Sequence, residues 1–186
     1  MKTLLTVLLL IISSEIFAQV IKEPLEAIGQ DGKFVRINGA GSEGVVIFFT
    51  ATRCPYDDHY LERMKKYASR YAGKILFYFV NASAEDTPDD IRKKLNSWGN
   101  EIPYLHDPDQ NVLRALNAKR TSEVFFLLKT GQGLSLVYRG PLDDNPQVSE
   151  DADKNYLLDA IEASLKGSKP EAVTARPAGC FIRLKY

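Results

Sequence analysis

Two unbroken apolar runs dominate the hydrophobic pattern of the chain: Val45-Val46-Ile47-Phe48-Phe49-Thr50 and Ile75-Leu76-Phe77-Tyr78-Phe79-Val80. Both are rich in β-branched and aromatic residues, as strands covered on both faces are. Between them, after Pro55, apolar residues recur at Tyr60, Leu61, Met64, Tyr67, Ala68 and Tyr71. This i, i+3, i+4, i+7 spacing predicts an amphipathic helix, with Gly73 at its C-terminal end. Strand, helix and strand at this spacing make a βαβ unit, whose crossover sets the two strands parallel.

Shorter patterns flank this unit. Ahead of it, from Ile28 to Ile37, Gln30-Asp31-Gly32-Lys33 separates two alternating pieces and predicts a small hairpin before the core sheet. After it, Thr87-Pro88-Asp89-Asp90 supplies an N-cap, a proline at the first helical position and an acidic first turn, with Ile91, Leu95 and Trp98 on one face of the helix that follows. Pro103-Tyr104-Leu105 is a short extended piece, His106-Asp107-Pro108-Asp109 a turn, and Val112, Leu113 and Leu116 mark a short helix. Val124 to Leu128, the turn Thr130-Gly131-Gln132-Gly133, and Leu134 to Tyr138 form an antiparallel hairpin. Tyr156, Leu157, Ala160, Ile161 and Leu165 define a last helix ending near Gly167. From Ser168 to Tyr186 there is no helical period, and Pro170 and Pro177 make this an extended tail.

The N-terminal pattern changes the domain count. Lys2 precedes the apolar run Leu4 to Ile12, then Ser13-Ser14, and Ala18 stands where a signal peptidase would cut. Residues 1–18 therefore read as a secretory signal peptide, too short in its apolar part to span a bilayer. The expected organisation is this leader, one domain over 19–167, and a tail over 168–186. Twenty-four basic and 24 acidic residues balance, and losing Lys2 with Glu15 keeps them balanced. A neutral, interspersed surface argues against nucleic acid or an anionic membrane as the main partner. The expected locale is the periplasm or the outside of the cell, with no membrane span after cleavage.

In such a compartment disulfides persist, and the two cysteines, Cys54 and Cys180, allow one intramolecular pairing. Cys54 lies between a strand and a helix start, where free backbone N–H groups and the helix dipole stabilise a thiolate. Arg53 acts in the same direction, and Asp57 and Asp58 oppose it. The element order β-α-β-α, a short helix, then β-β-α is that of the thioredoxin fold: an α/β fold with a central mixed sheet flanked by helices, here with an N-terminal hairpin and an extended tail. The segment Phe48-Phe49-Thr50-Ala51-Thr52-Arg53-Cys54-Pro55-Tyr56 resembles the active-site region of the redoxins, thioredoxin-like and AhpC/TSA-related proteins. Pro103 to Asp107, Thr121 to Phe125, Val137 to Gly140 with Asp143-Asp144, and Gly179-Cys180-Phe181-Ile182 are similar to an exported bacterial subgroup with a Gly-Cys-containing tail.

The resemblance implies thiol-disulfide oxidoreductase activity, with Cys54 as nucleophile, Cys180 as a remote resolving thiol, and Pro55, Thr121 and Ser122 lining the substrate groove. The implied partners are protein thiols and disulfides, or a peroxide, and a separate electron donor; no cofactor and no metal is expected. Three departures from the family pattern involve four positions. Asp57 replaces the second cysteine of Cys-x-x-Cys, Ala51 and Ile47 replace the peroxiredoxin hydroxyl and proline, and Ser122 stands where the fold keeps a cis-proline. A cis bond before a non-proline costs about 3–4 kcal/mol, so a trans peptide is expected there. A peroxiredoxin-like peroxidase and a non-catalytic binding module stapled by a Cys54–Cys180 disulfide remain alternatives. His59, five residues past Cys54, reads as solvated rather than as a metal ligand. Asp143 and Asp144 read as capping or solvating a turn, and Arg139 either faces an anionic substrate or pairs with one of them.

Overall fold

The structure, a computed structural model, describes residues 19–22 and 24–185; the expected signal peptide lies outside the described residues. These build one eight-stranded sheet, in the order β1 (Gln19–Val20), β8 (Gly133–Gly140), β7 (Val124–Thr130), β4 (Gly44–Thr50), β5 (Ile75–Asn81), β6 (Tyr104–His106), β2 (Glu26–Ile28) and β3 (Phe34–Arg36). Strands β4, β5 and β6 are parallel, and the other pairings are antiparallel. Among the described residues four α-helices accompany the sheet: α1 (Pro55–Arg70), α2 (Pro88–Trp98), α3 (Asn111–Leu116) and α4 (Tyr156–Leu165). The expected thioredoxin-like α/β fold is present, and the 28–37 hairpin, rather than standing ahead of the core sheet, extends its far edge through β2 and β6.

Strand β4 explains why its sequence is continuously apolar. Val46 and Phe48 pack with Tyr60, Met64 and Tyr67 of α1 and with Leu157 and Ile161 of α4. Val45, Ile47 and Phe49 point the other way, toward Val112, Leu113 and Leu116 of α3 and Ile182 of the tail. A strand covered on both faces cannot alternate polar and apolar residues. Its parallel pairing with β5 leaves the C-terminal ends of both strands, Thr50 and Asn81, at one rim of the sheet. The chain leaves β4 at that rim and reaches Cys54 within four residues.

Helix α2 starts as its sequence predicts and adds a reciprocal lock: the Thr87 hydroxyl accepts from the Asp90 N–H, and the Asp90 carboxylate accepts from the Thr87 N–H. Two expectations about charge are corrected. Asp143 does not solvate its turn but is buried against Arg63 of α1, at 2.5 Å, which also donates to the carbonyls of Asn145 and Pro146. Arg139 pairs with Glu123, at 2.6 Å, not with Asp143 or Asp144. Removing one partner of the Arg63–Asp143 pair strands a buried charge, so Arg63→Ala is expected to lower stability by about 3–5 kcal/mol in urea unfolding. The double change Arg63→Met with Asp143→Leu is expected to recover most of that loss. A double variant no better than Arg63→Ala would contradict the assignment.

Candidate functional site

Cys54 is the N-cap of α1, in extended conformation (φ −90°, ψ 113°), with Pro55 in the first helical turn. This places its sulfur at the helix entrance, beneath the segment that leads into β7. Only 2% of the residue is exposed. The Thr121 hydroxyl donates to Sγ of Cys54 at 3.0 Å, and the Cys180 N–H approaches the same sulfur at 3.3 Å. Cys54 and Cys180 are joined by a disulfide, with their Cα atoms 5.9 Å apart across 126 positions of sequence. The separation lies within the usual range for a disulfide.

Cys180 arrives there on a short added strand. The Thr121 N–H donates to the Cys180 carbonyl at 2.8 Å, the Cys180 N–H donates to the Thr121 hydroxyl at 2.9 Å, and the Ile182 N–H donates to the Lys119 carbonyl at 3.1 Å. Arg120 and Phe181 face each other in an antiparallel bridge, with the guanidinium 3.8 Å from the ring centroid. Beyond this, the tail crosses the rim: the Ala84 N–H and the Gln110 side-chain amide both donate to the Arg183 carbonyl, and Ile182 is buried in the core beneath. Gly179 lies so close over Thr121 that a Cβ there would strike the Thr121 backbone. Of the residues expected to line a groove, Pro55 is exposed at the helix start, while Thr121 and Ser122 are buried and the backbone edge beside them is held by the tail.

A model of the AhpC/TSA family matches residues 20–137 of this sequence. The chain belongs to that family. A comparison with curated proteins gives no match. Among solved structures, this redoxin is similar to an uncharacterized conserved protein from Geobacillus kaustophilus at 27% identity, covering 90% of this chain and 93% of that one with a TM-score of 0.75. It is equally similar in shape to a hypothetical protein from Sinorhizobium meliloti, at 26% identity, 89% and 93% coverage, and a TM-score of 0.75. The exposed lipoprotein thioredoxin of Streptococcus pneumoniae shares the fold, at 20% identity, 77% and 98% coverage, and a TM-score of 0.59.

The departures of this redoxin from the family pattern have structural explanations. The Ser122 peptide is trans, as expected, and Ser122 itself adopts a left-handed conformation, φ 56°. Thr50 and Thr52, out of register for a peroxide-positioning hydroxyl, donate to Asp57 and Asp86, at 2.9 and 2.7 Å. Asp58 accepts from the Trp98 indole and pairs with Lys94. His59 is exposed, and its backbone carbonyl accepts from Arg63. Among the described residues no cluster of three or more His, Cys, Asp or Glu side chains is placed to hold a metal ion, and no helix is long and apolar enough to cross a membrane.

Two organising residues carry little sequence signal. Glu123 accepts from the N–H groups of Lys119 and Arg120, shaping the edge on which the tail lies. Asp57 is wholly buried and accepts from the Thr50 hydroxyl, the Ala51 N–H and the Ser122 hydroxyl. Burial pushes its pKa up to about 6, against these hydrogen bonds, which pull it down. A folded-state pKa above the ordinary 3.8 means that the folded form holds the proton more tightly. The stability this group contributes is present below about pH 4 and is lost as pH rises through about 6, an effect of about 3 kcal/mol. Asp107 and Asp143, both raised mainly by burial, act in the same direction, and His106, lowered by burial, acts oppositely. Subtracting the unfolding profile of Asp57→Asn from that of the native protein between pH 4 and 7 is expected to isolate a falling component. A flat difference would contradict the assignment.

Proposed function

We propose that this protein is an exported thiol-disulfide oxidoreductase in which Cys54 is the nucleophile and Cys180 the resolving thiol. The domain over 19–167 carries the first and the tail over 168–186 the second. The observation that carries this reading is the Cys54–Cys180 disulfide, formed at a helix start with two donors on the Cys54 sulfur. A thiolate released at Cys54 meets the helix dipole, the Thr121 hydroxyl and the Cys180 N–H, and each favours the anion.

In the reduced protein, Cys54 thiolate attacks one sulfur of a target protein disulfide. The target S–S bond breaks, its second sulfur leaves with the electron pair and takes a proton, and Cys54 is held in a mixed disulfide. Cys180, deprotonated, then attacks Cys54 Sγ, closing the intramolecular bond and releasing the reduced target. The target has gained two electrons and the protein has lost two. A dithiol donor attacks Cys180, the less buried of the two residues, with Cys54 thiolate as leaving group; the donor's second thiol then attacks its own sulfur in that mixed disulfide, releasing Cys180 as a thiol and leaving the donor as a disulfide. Access to Cys54 opens when the Cys180 strand lifts from Thr121. The engagement of Thr50 and Thr52 with carboxylates supports disulfides over peroxide as the oxidant.

The test is turnover of a disulfide-bonded protein substrate, such as insulin, in the presence of a dithiol donor. The native protein is expected to catalyse reduction, Cys54→Ser to be inert, and Cys180→Ser to stall with substrate covalently held on Cys54. Equal rates for the native protein and Cys54→Ser would overturn the reading.

A further inference from the structure

Two of the departures from the family pattern, separated by 65 positions, touch each other. Asp57 stands where a second motif cysteine would be, Ser122 stands where the cis-proline would be, and the Ser122 hydroxyl donates to Oδ1 of Asp57 at 2.7 Å. We propose that Asp57 is the positioning residue of the Cys54–Cys180 couple, acting through Ser122 to set the backbone from which Thr121 engages both cysteines.

The argument begins with the backbone at Ser122. Its φ of 56° places a non-glycine residue in the left-handed region, which costs about 1–2 kcal/mol unless the surroundings impose it. Two contacts impose it here: the Ser122 N–H donates to the Phe49 carbonyl at 2.7 Å, and the Ser122 hydroxyl is fixed by Asp57. The turn this produces lets the neighbouring Thr121 face the tail with both its N–H and its hydroxyl. Thr121 then makes three contacts at the couple: N–H to the Cys180 carbonyl, hydroxyl from the Cys180 N–H, and hydroxyl to the Cys54 sulfur.

The second carboxylate oxygen ties down the other side. Oδ2 of Asp57 accepts from the Thr50 hydroxyl and the Ala51 N–H, both at 2.9 Å, while the Asp57 N–H caps back toward the Cys54 carbonyl. One buried side chain thus joins the end of β4, the first turn of α1 and the segment before β7, which are the three pieces whose relative placement decides whether Cys180 meets Cys54. A carboxylate suits the task because it accepts several hydrogen bonds at once, and none of its three donors is left unpaired. The sulfur lost at position 57 and the proline lost at 122 are in this view one exchange: a local dithiol and a cis peptide are replaced by an acid–hydroxyl latch that serves a remote second thiol.

The inference rests on the Cys54–Cys180 couple and is tested without turnover. The measurement is the equilibrium constant for closing that disulfide against glutathione, with the melting temperatures of the oxidised and reduced forms read alongside. Asp57→Asn and Ser122→Ala are each expected to lower the closing constant roughly tenfold, the scale of one charge-assisted hydrogen bond, and the double variant to lower it by no more than either alone. Ser122→Gly, which keeps the left-handed backbone free of strain, takes the place of Ser122→Ala in the cycle should that variant not fold. A double variant showing the product of the two single losses, or single variants that melt lower in both forms with the closing constant unchanged, would overturn the latch. Absence of turnover in the native protein with the coupling intact would sink the oxidoreductase reading and leave the latch standing.

Discussion

Opening the Cys54–Cys180 disulfide, by reduction or by Cys180→Ser, is expected to lower the unfolding free energy by about 5 kcal/mol. The bond closes a loop across 126 positions, and constraining so long a loop in the unfolded chain accounts for a loss of that size. The effect belongs mostly to the unfolded state, so the folded architecture is expected to persist. Among the described residues the tail adds buried Ile182 and partly buried Val173 to apolar clusters that are otherwise built from the strands, the helices and the loops between them. Urea unfolding of the oxidised and reduced forms, followed by far-ultraviolet dichroism, measures the difference directly. A loss below about 1 kcal/mol would contradict this account of the bond's contribution.

Gly179→Val is expected to carry the second large effect, and it acts on the folded state. A side chain at position 179 would be driven into the Thr121 backbone, and neither the ladder to Thr121 nor the Arg120 bond to the Gly179 carbonyl survives a displacement of the strand. Overpacking of this kind costs about 1–3 kcal/mol. The closing constant of the disulfide against glutathione is therefore expected to fall by about 10–100-fold, while the reduced form, with the strand free to lift, melts close to the native reduced protein. An unchanged closing constant would show that the tail has another way to present Cys180.

The strands and helices were legible because their patterns are local. The doubly covered strands β4 and β5 show as unbroken apolar runs, α1 shows as a 3.6-residue period, and α2 announces itself through Thr87-Pro88. Strand β1 was not legible: two residues, Gln19–Val20, cannot establish a period, and their place is set by pairing with β8. Cys54 and Cys180 were legible as the chemistry, but their pairing depends on a tail path fixed by Thr121, Ala84 and Gln110. Asp57 read as a charge opposing a Cys54 thiolate and as the replacement of a second motif cysteine, in a helix first turn where acids are common. Only the fold brings Ser122 across to it and closes water off. Asp143 and Glu123 were obscured in the same way, since an acidic residue near a turn looks solvated until its arginine arrives from another element. The polar residues that organise the site are thus the ones whose partners lie far away in sequence.

The central claim is that the Cys54–Cys180 bond is a working redox couple rather than a staple, and its reduction potential tests this most directly. Thiol trapping of the full-length mature protein across graded redox buffers gives the value. A potential between roughly −120 and −270 mV, the range of redox-active proteins of this fold, is the expected result. A potential below about −300 mV, characteristic of structural disulfides, would contradict the account and assign Cys180 to holding the tail.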